Sequence, residues 1–167
     1  SLIRTGGGRI AEIGELLALA RDTAERVGRR LAQDATEGLR AHGVHPEHPR
    51  EVKALADAVL EQEILADLMP TGISILSEEA GLLTAGNDDT LRFIVDPLDG
   101  TFNFVHGLGP WAVSIALWQR TEPVFGVVYS AGDDAVFWGG PGIGSFRGDD
   151  PITVSQASDR ASASVCT

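Results

Sequence analysis

Apolar side chains recur at intervals of three and four along residues 9–39, at Ile10, Ile13, Leu16, Leu17, Ala20, Ala24, Val27 and Leu31. That spacing lines one face of an amphipathic helix. Arg21, Glu25, Arg29 and Arg30 fall mainly on its wet side. Gly43 and Pro46 break the pattern, and a second helical stretch carries Val52, Leu55, Val59, Ile64 and Leu68 until Pro70 stops it. Beyond Pro70 the period shortens to β-rich runs at residues 73–76, 91–95, 113–118, 124–129, 135–138 and 152–154, punctuated by Gly, Asp and Asn. The connections at residues 120–122 and 131–134 are too short for a crossover helix, so these strands pair through hairpins. The predicted fold class is α+β, two long helices packed on a mainly antiparallel sheet. Residues 161–167 start another β-like run that stops without turn or cap, the pattern of a chain that continues.

Composition narrows the classes. With 43% hydrophobic and 22% charged residues in 167, the chain has the balance of a folded domain. No apolar run reaches the roughly 20 residues of a membrane span. The 24 acidic residues against 13 basic ones leave a net charge of −11, which repels nucleic acid. A small phosphorylated ligand stays compatible where divalent cations stand between carboxylates and phosphate. Cys166 is the single cysteine and has no internal disulfide partner, and Ser1 opens no charged-then-apolar leader. A cytoplasmic setting is the expectation.

Candidate chemistry concentrates in residues 93–104, Phe-Ile-Val-Asp-Pro-Leu-Asp-Gly-Thr-Phe-Asn-Phe. An apolar strand delivers Asp96, Pro97 fixes a bend, and a turn returns Asp99 so that two carboxylates converge with the Leu98 carbonyl. Hard oxygen donors in a tight turn suit magnesium. Gly100 admits close backbone approach, and residues 101–104 open a helical turn whose free N–H groups suit phosphate. Taken alone, Asp-x-x-Asp-Gly also describes a solvated surface turn. The apolar strand before it and the aromatics after it favour a buried site. Ser77-Glu78-Glu79 follows another apolar run. Adjacent glutamates alone read as solvated, but two acid clusters at strand ends can face each other across neighbouring edges.

These segments, with Trp111-Ala112-Val113-Ser114-Ile115-Ala116-Leu117 and Gly126-Val127-Val128-Tyr129, resemble in order and spacing the inositol monophosphatase family of magnesium-dependent phosphatases, the lithium-sensitive type. The resemblance spans about residues 52–165. It implies the amino-terminal, metal-binding domain of the layered αβαβα sugar-phosphatase fold over residues 1–167, with the family's carboxy-terminal α/β domain absent. It also implies two or three Mg2+ ions. Glu78, Asp96 and the Leu98 carbonyl would bind the first, and Asp96 and Asp99 would share a second. Leu98, Asp99, Gly100 and Thr101 would form the substrate-binding turn, Gly100 and Thr101 holding the phosphate. Asp57, on the second helix, matches the aspartate that pairs with Thr101 to activate the attacking water. The family's Val-Thr-x-x-Asp reads here Lys53-Ala54-Leu55-Ala56-Asp57, without the threonine. A further metal-binding aspartate belongs to the companion domain, so residues 1–167 alone are expected to be nearly inactive.

The implied activity is hydrolysis of inositol monophosphate or a related polyol or sugar phosphate by a homodimer. Rivals within the superfamily are fructose-1,6-bisphosphatase, histidinol phosphatase and a 3′-phosphoadenosine-5′-phosphate phosphatase; a non-enzyme rival is a metal-stabilised protein-binding scaffold. Other features carry less. His42, His45 and His48 suit zinc or nickel in residue type, but Pro46 and Pro49 keep a helix from aligning them. The glycines of residues 139–144 read as a hairpin turn rather than a phosphate loop. His106 reads as a hydrogen-bonded packing residue, Trp111, Trp118 and Trp138 as core or interface, and Gly6 to Gly8 as a flexible lead-in.

Overall fold

The computed structural model describes residues 2–4, 10–41, 49–84 and 90–156. A short hairpin pairs β1 (Leu2–Arg4) with β2 (Ile10–Glu12). Two helices follow, α1 (Ile13–Ala41) and α2 (Pro49–Leu68). The second passes into a 3₁₀ turn, Met69–Thr71, that ends at Gly72 with φ +69°. Pro70 therefore sits inside that turn, just beyond the α-helical stretch it was expected to stop.

The remaining strands are β3 (Ser74–Ser77), β4 (Gly81–Leu83), β5 (Leu91–Asp99), β6 (Ala112–Gln119), β7 (Glu122–Ser130), β8 (Ala135–Gly140), β9 (Gly144–Arg147) and β10 (Asp150–Pro151). One short helix, α3 (Thr101–His106), interrupts them. They form a single sheet in the order β10-β9-β8-β7-β6-β5-β3-β4. From β5 to β10 it is an antiparallel meander, as its short turns require. The exception is β3, which pairs with β5 in parallel.

Alternation along the strands sets two faces. Ile75, Phe93, Val95, Val113, Ile115, Leu117, Phe125, Val127 and Tyr129 are buried on the face that α1 and α2 cover. From the helices, Leu16, Ala20, Ala24, Val27, Leu60, Ile64 and Leu68 complete the core. Gly28 on α1 meets the Tyr129 ring so closely that a Cβ there would stand 2.1 Å from Cδ1. The opposite face leaves Leu76, Ile94 and Val128 between 36% and 38% exposed. The fold class is thus α+β, as the periodicities indicate.

Three local expectations change. Residues 152–154 form no strand: Ile152 N–H donates to the Ser145 carbonyl at 2.9 Å, but Val154 is exposed, and the last ladder residues are Asp150 and Pro151. Strands β4 and β9 lie where no strand was expected, since both are short and half-exposed and offer little hydrophobic signal. The helix expected from residue 9 starts at Ile13, because Ile10–Glu12 pairs with β1. The glycines of residues 139–144 do link β8 to β9 as a hairpin. Among the described residues no helix is long and apolar enough to cross a membrane. The readings placed on Gly6 to Gly8, on His42, His45 and His48, on Cys166 and on residues 161–167 lie outside the described residues.

Candidate active site

The acidic residues are brought together by two irregularities of the sheet. The first is the parallel pair, in which Ser74 to Ser77 align with Arg92 to Val95 and the Glu78 N–H donates to the Val95 carbonyl at 3.1 Å. Parallel strands end on the same side, so Glu78 leaves β3 beside Asp96 on β5.

The second is a bulge in β5. Asp96 pairs with Ser114 and Asp99 with Ala112, so three steps on β5 match two on β6. In a regular strand, residues three apart point to opposite faces. The extra residue corrects this: Asp96 and Asp99 oppose Ser114 and Ala112, which share a face, and so share one themselves. Pro97 lacks an N–H for the ladder, which a bulge tolerates. The Leu98 N–H donates instead to Asp96 Oδ1 at 3.1 Å.

Immediately after the bulge, Gly100 caps α3 with φ +81° and ψ +32°. A Cβ there would lie 3.0 Å from the Pro110 carbonyl oxygen, so both the backbone angle and the close approach call for glycine. Asn103 Nδ2 donates to that same carbonyl at 2.9 Å, tying α3 to the start of β6. Thr101 Oγ1 donates to the Leu98 carbonyl at 2.8 Å. The expected helical turn after the acids is therefore present, six residues long.

Electrostatics mark the cluster. The Asp96 carboxyl is raised to about 6, first by burial and then by repulsion from Glu78, which stands close enough to share a hydrogen bond with it. Asp99 adds to the repulsion, while the Leu98 N–H opposes it. Among the described residues, no three or more Asp, Glu, His or Cys side chains converge closely enough to enclose an ion by themselves. The donor set nonetheless fits magnesium, which takes one or two carboxylates and completes its shell with water and phosphate oxygens. Every donor here is a hard oxygen, and the Leu98 carbonyl keeps a second lone pair beyond the one Thr101 uses.

Position 57 lies on α2, one helical turn before Glu61, and its side chain is outside the described residues. Glu61 was not singled out from the sequence, although its Oε1 accepts from the Ala80 N–H at 2.9 Å and from the Ser77 hydroxyl. The available signal was its spacing of four from Asp57, which puts both positions on one helix stripe. His106 stays outside the cluster: it stacks on Phe102 with centroids 4.2 Å apart, and its Nδ1 lies 2.9 Å from the Phe102 carbonyl oxygen. Trp111 packs edge-on against Phe104, and Trp138 lies flat on Phe146 beneath Arg21.

Comparison with known proteins adds an independent line. Residues 12–167 match the model of the inositol monophosphatase family. The chain is 37% identical over 142 residues to a protein of Mesorhizobium japonicum named inositol-1-monophosphatase, covering 84% of this chain and 53% of that one. It is 33% identical over 105 residues to a fructose-1,6-bisphosphatase of Pyrococcus furiosus, covering 63% and 41%. Among solved structures, the extragenic suppressor protein suhB of Bartonella henselae superposes with a TM-score of 0.72 at 33% identity, over 86% of this chain and 55% of that one. The chain thus spans about half the length of the relatives it matches.

Proposed function

The chain belongs to the inositol monophosphatase family, and from that premise we propose that the complete protein is a magnesium-dependent phosphomonoesterase acting on inositol monophosphate or a related polyol or sugar phosphate. The observation that carries the proposal is the joint effect of the parallel pair and the bulge, which gather Glu78, Asp96 and Asp99 at one end of the sheet.

Glu78, Asp96 and the Leu98 carbonyl would hold one magnesium ion, and Asp96 and Asp99 would hold a second. When bound, magnesium supplies a Lewis acid that polarises phosphoryl oxygen and makes water nucleophilic at neutral pH. The chain's own contribution is placement. The N–H groups of Gly100 and Thr101 stand at the start of α3, where helix geometry leaves them without intrahelical partners, and would donate to a phosphate. Thr101 gives its hydroxyl proton to the Leu98 carbonyl, so its oxygen would have lone pairs left to accept from the attacking water. Asp57 would complete that pair from α2.

The part played by residues 1–167 is that of an amino-terminal domain within a longer αβαβα arrangement. The coverage of its relatives supports this, as do Leu76, Ile94 and Val128 on the uncovered sheet face. The homodimer and the cytoplasmic setting rest on the family resemblance alone. Fructose 1,6-bisphosphate is the second substrate to consider, because a Pyrococcus furiosus relative carries that activity in its name.

The test is phosphate release by the full-length protein from inositol monophosphate, fructose 1,6-bisphosphate, histidinol phosphate and 3′-phosphoadenosine 5′-phosphate, with and without magnesium. Magnesium-dependent turnover of the inositol ester above the others is expected. Magnesium binding without hydrolysis of any ester would favour a scaffold instead.

A further inference from the structure

We propose that Glu61 on α2 is a positioning residue that fixes the direction of Glu78; the inference rests on the reading of Glu78 as a magnesium ligand. A single oxygen, Glu61 Oε1, accepts hydrogen bonds from the Ser77 hydroxyl and from the Ala80 N–H at 2.9 Å. These donors flank Glu78, one residue before it and two residues after. The Glu78 N–H is held by the Val95 carbonyl at 3.1 Å. Three hydrogen bonds therefore clamp a segment of four residues, whereas the Glu78 side chain itself is exposed.

The clamp has a reason to exist. Glu78 and Asp96 repel each other when both are ionised, and a free turn would let Glu78 swing away toward water. Ser77 is 2% exposed on the helix-covered face, so its hydroxyl needs a partner inside the protein. Glu61 supplies that partner and ties the turn to a helix packed on the core. It also stands one helical turn beyond position 57, so α2 carries both the expected water-activating aspartate and the anchor of the first ligand. Carboxylates that orient metal ligands in this way commonly matter for affinity without touching the metal.

The experiment measures magnesium affinity by calorimetry, and the magnesium dependence of the phosphatase rate, in the full-length protein and in Glu61→Gln, Glu61→Ala and Ser77→Ala. Glu61→Ala removes the acceptor and is expected to weaken magnesium binding about 10- to 100-fold, raising half-saturating magnesium by a similar factor. Its rate at saturating magnesium should stay within about threefold of the unsubstituted protein, because no group at the reacting phosphate is lost. Glu61→Gln keeps an acceptor oxygen and should rescue affinity to within about threefold. Ser77→Ala should fall between the two and add nothing in the Glu61→Ala background.

Unchanged magnesium affinity in Glu61→Ala overturns the proposal. So does a Glu61→Gln protein as weak as Glu61→Ala, since charge rather than acceptance would then be at work. Should Glu61→Ala fail to fold by circular dichroism, wild-type affinity in Ser77→Ala overturns it equally. An unsubstituted protein that binds no magnesium removes the metal reading itself, an outcome visible before any variant is made.

Discussion

Asp96 near the end of β5 and Asp134 beyond the end of β7 are two aspartates in opposite surroundings. Asp134 sits in the turn between β7 and β8, where its Oδ1 accepts from Arg29 Nε at 3.0 Å and from the Tyr129 hydroxyl at 3.1 Å. Those bonds hold its carboxyl below the usual range. Asp96 has acids for neighbours, and burial together with Glu78 lifts it to about 6. The α1 side of the molecule is organised by pairing, with Arg21 on Asp149 and Arg26 on Asp67 as further cases. At the mouth of β3 and β5 like charges are collected instead. A fold optimised only for stability would separate them, and their assembly is what the proposed cation-dependent site would require.

The sharpest way to break the contrast is Asp96→Asn. Asparagine keeps an oxygen for the Leu98 N–H and removes the charge. Turnover in the full-length protein should fall by at least about 100- to 1,000-fold, while the melting temperature does not drop. A loss of stability without a loss of rate would reverse the assignment of the two regions. Next is Phe93→Ala, a fully buried ring on β5. It should cost about 3 to 5 kcal/mol in denaturant unfolding. Because the backbone of β5 carries Asp96, magnesium affinity should weaken in the same variant.

A smaller effect tests the paired side. Tyr129→Phe deletes the hydroxyl that bonds Asp134 and should cost about 1 kcal/mol. Burial, reinforced by Asp134, raises the Tyr129 phenol to about 12. Its ionisation is thus disfavoured in the folded state, and its contribution is complete below pH 10, then lost as pH rises toward 12. Urea midpoints at pH 9 and pH 11.5 should differ less in Tyr129→Phe than in the parent. The acid limb is the smallest effect. Asp134 is depressed, so its contribution is present above the ordinary carboxylate range and fades as pH falls through its lowered value. Asp134→Asn should blunt that limb.

What the sequence made legible followed from locality. The turn of residues 96–101 reads directly because its acids, proline and glycine are contiguous, and the hairpins read directly because their loops are short. The parallel β3–β5 pair was harder, since its register joins segments on either side of β4, and Glu78 gains meaning only once it lies beside Asp96. The bulge was hidden for another reason: face assignment depends on counting residues on both β5 and β6. Glu61 was missed because its partners lie 16 and 19 residues away, and an isolated glutamate on a helix normally reads as solvated. Short strands such as β4 and β9 lack the buried alternation that would reveal them.

The bulge also bears on how this region tolerates change in length. A side chain's face depends on the parity of its position, so inserting one residue in β6 between Ala112 and Ser114, which would match three steps with three and cancel the bulge, would turn Asp99 away from Asp96, though every acid would remain in the chain. A one-residue slip of β3 against β5 would likewise carry Glu78 out of line, and it would expose Ile75 in the same movement. Substitutions in this stretch can be conservative or severe. A single-residue insertion or deletion changes one strand's count alone and so resets the pairing, because the site counts three steps on β5 against two on β6 where a plain ladder would count them equally.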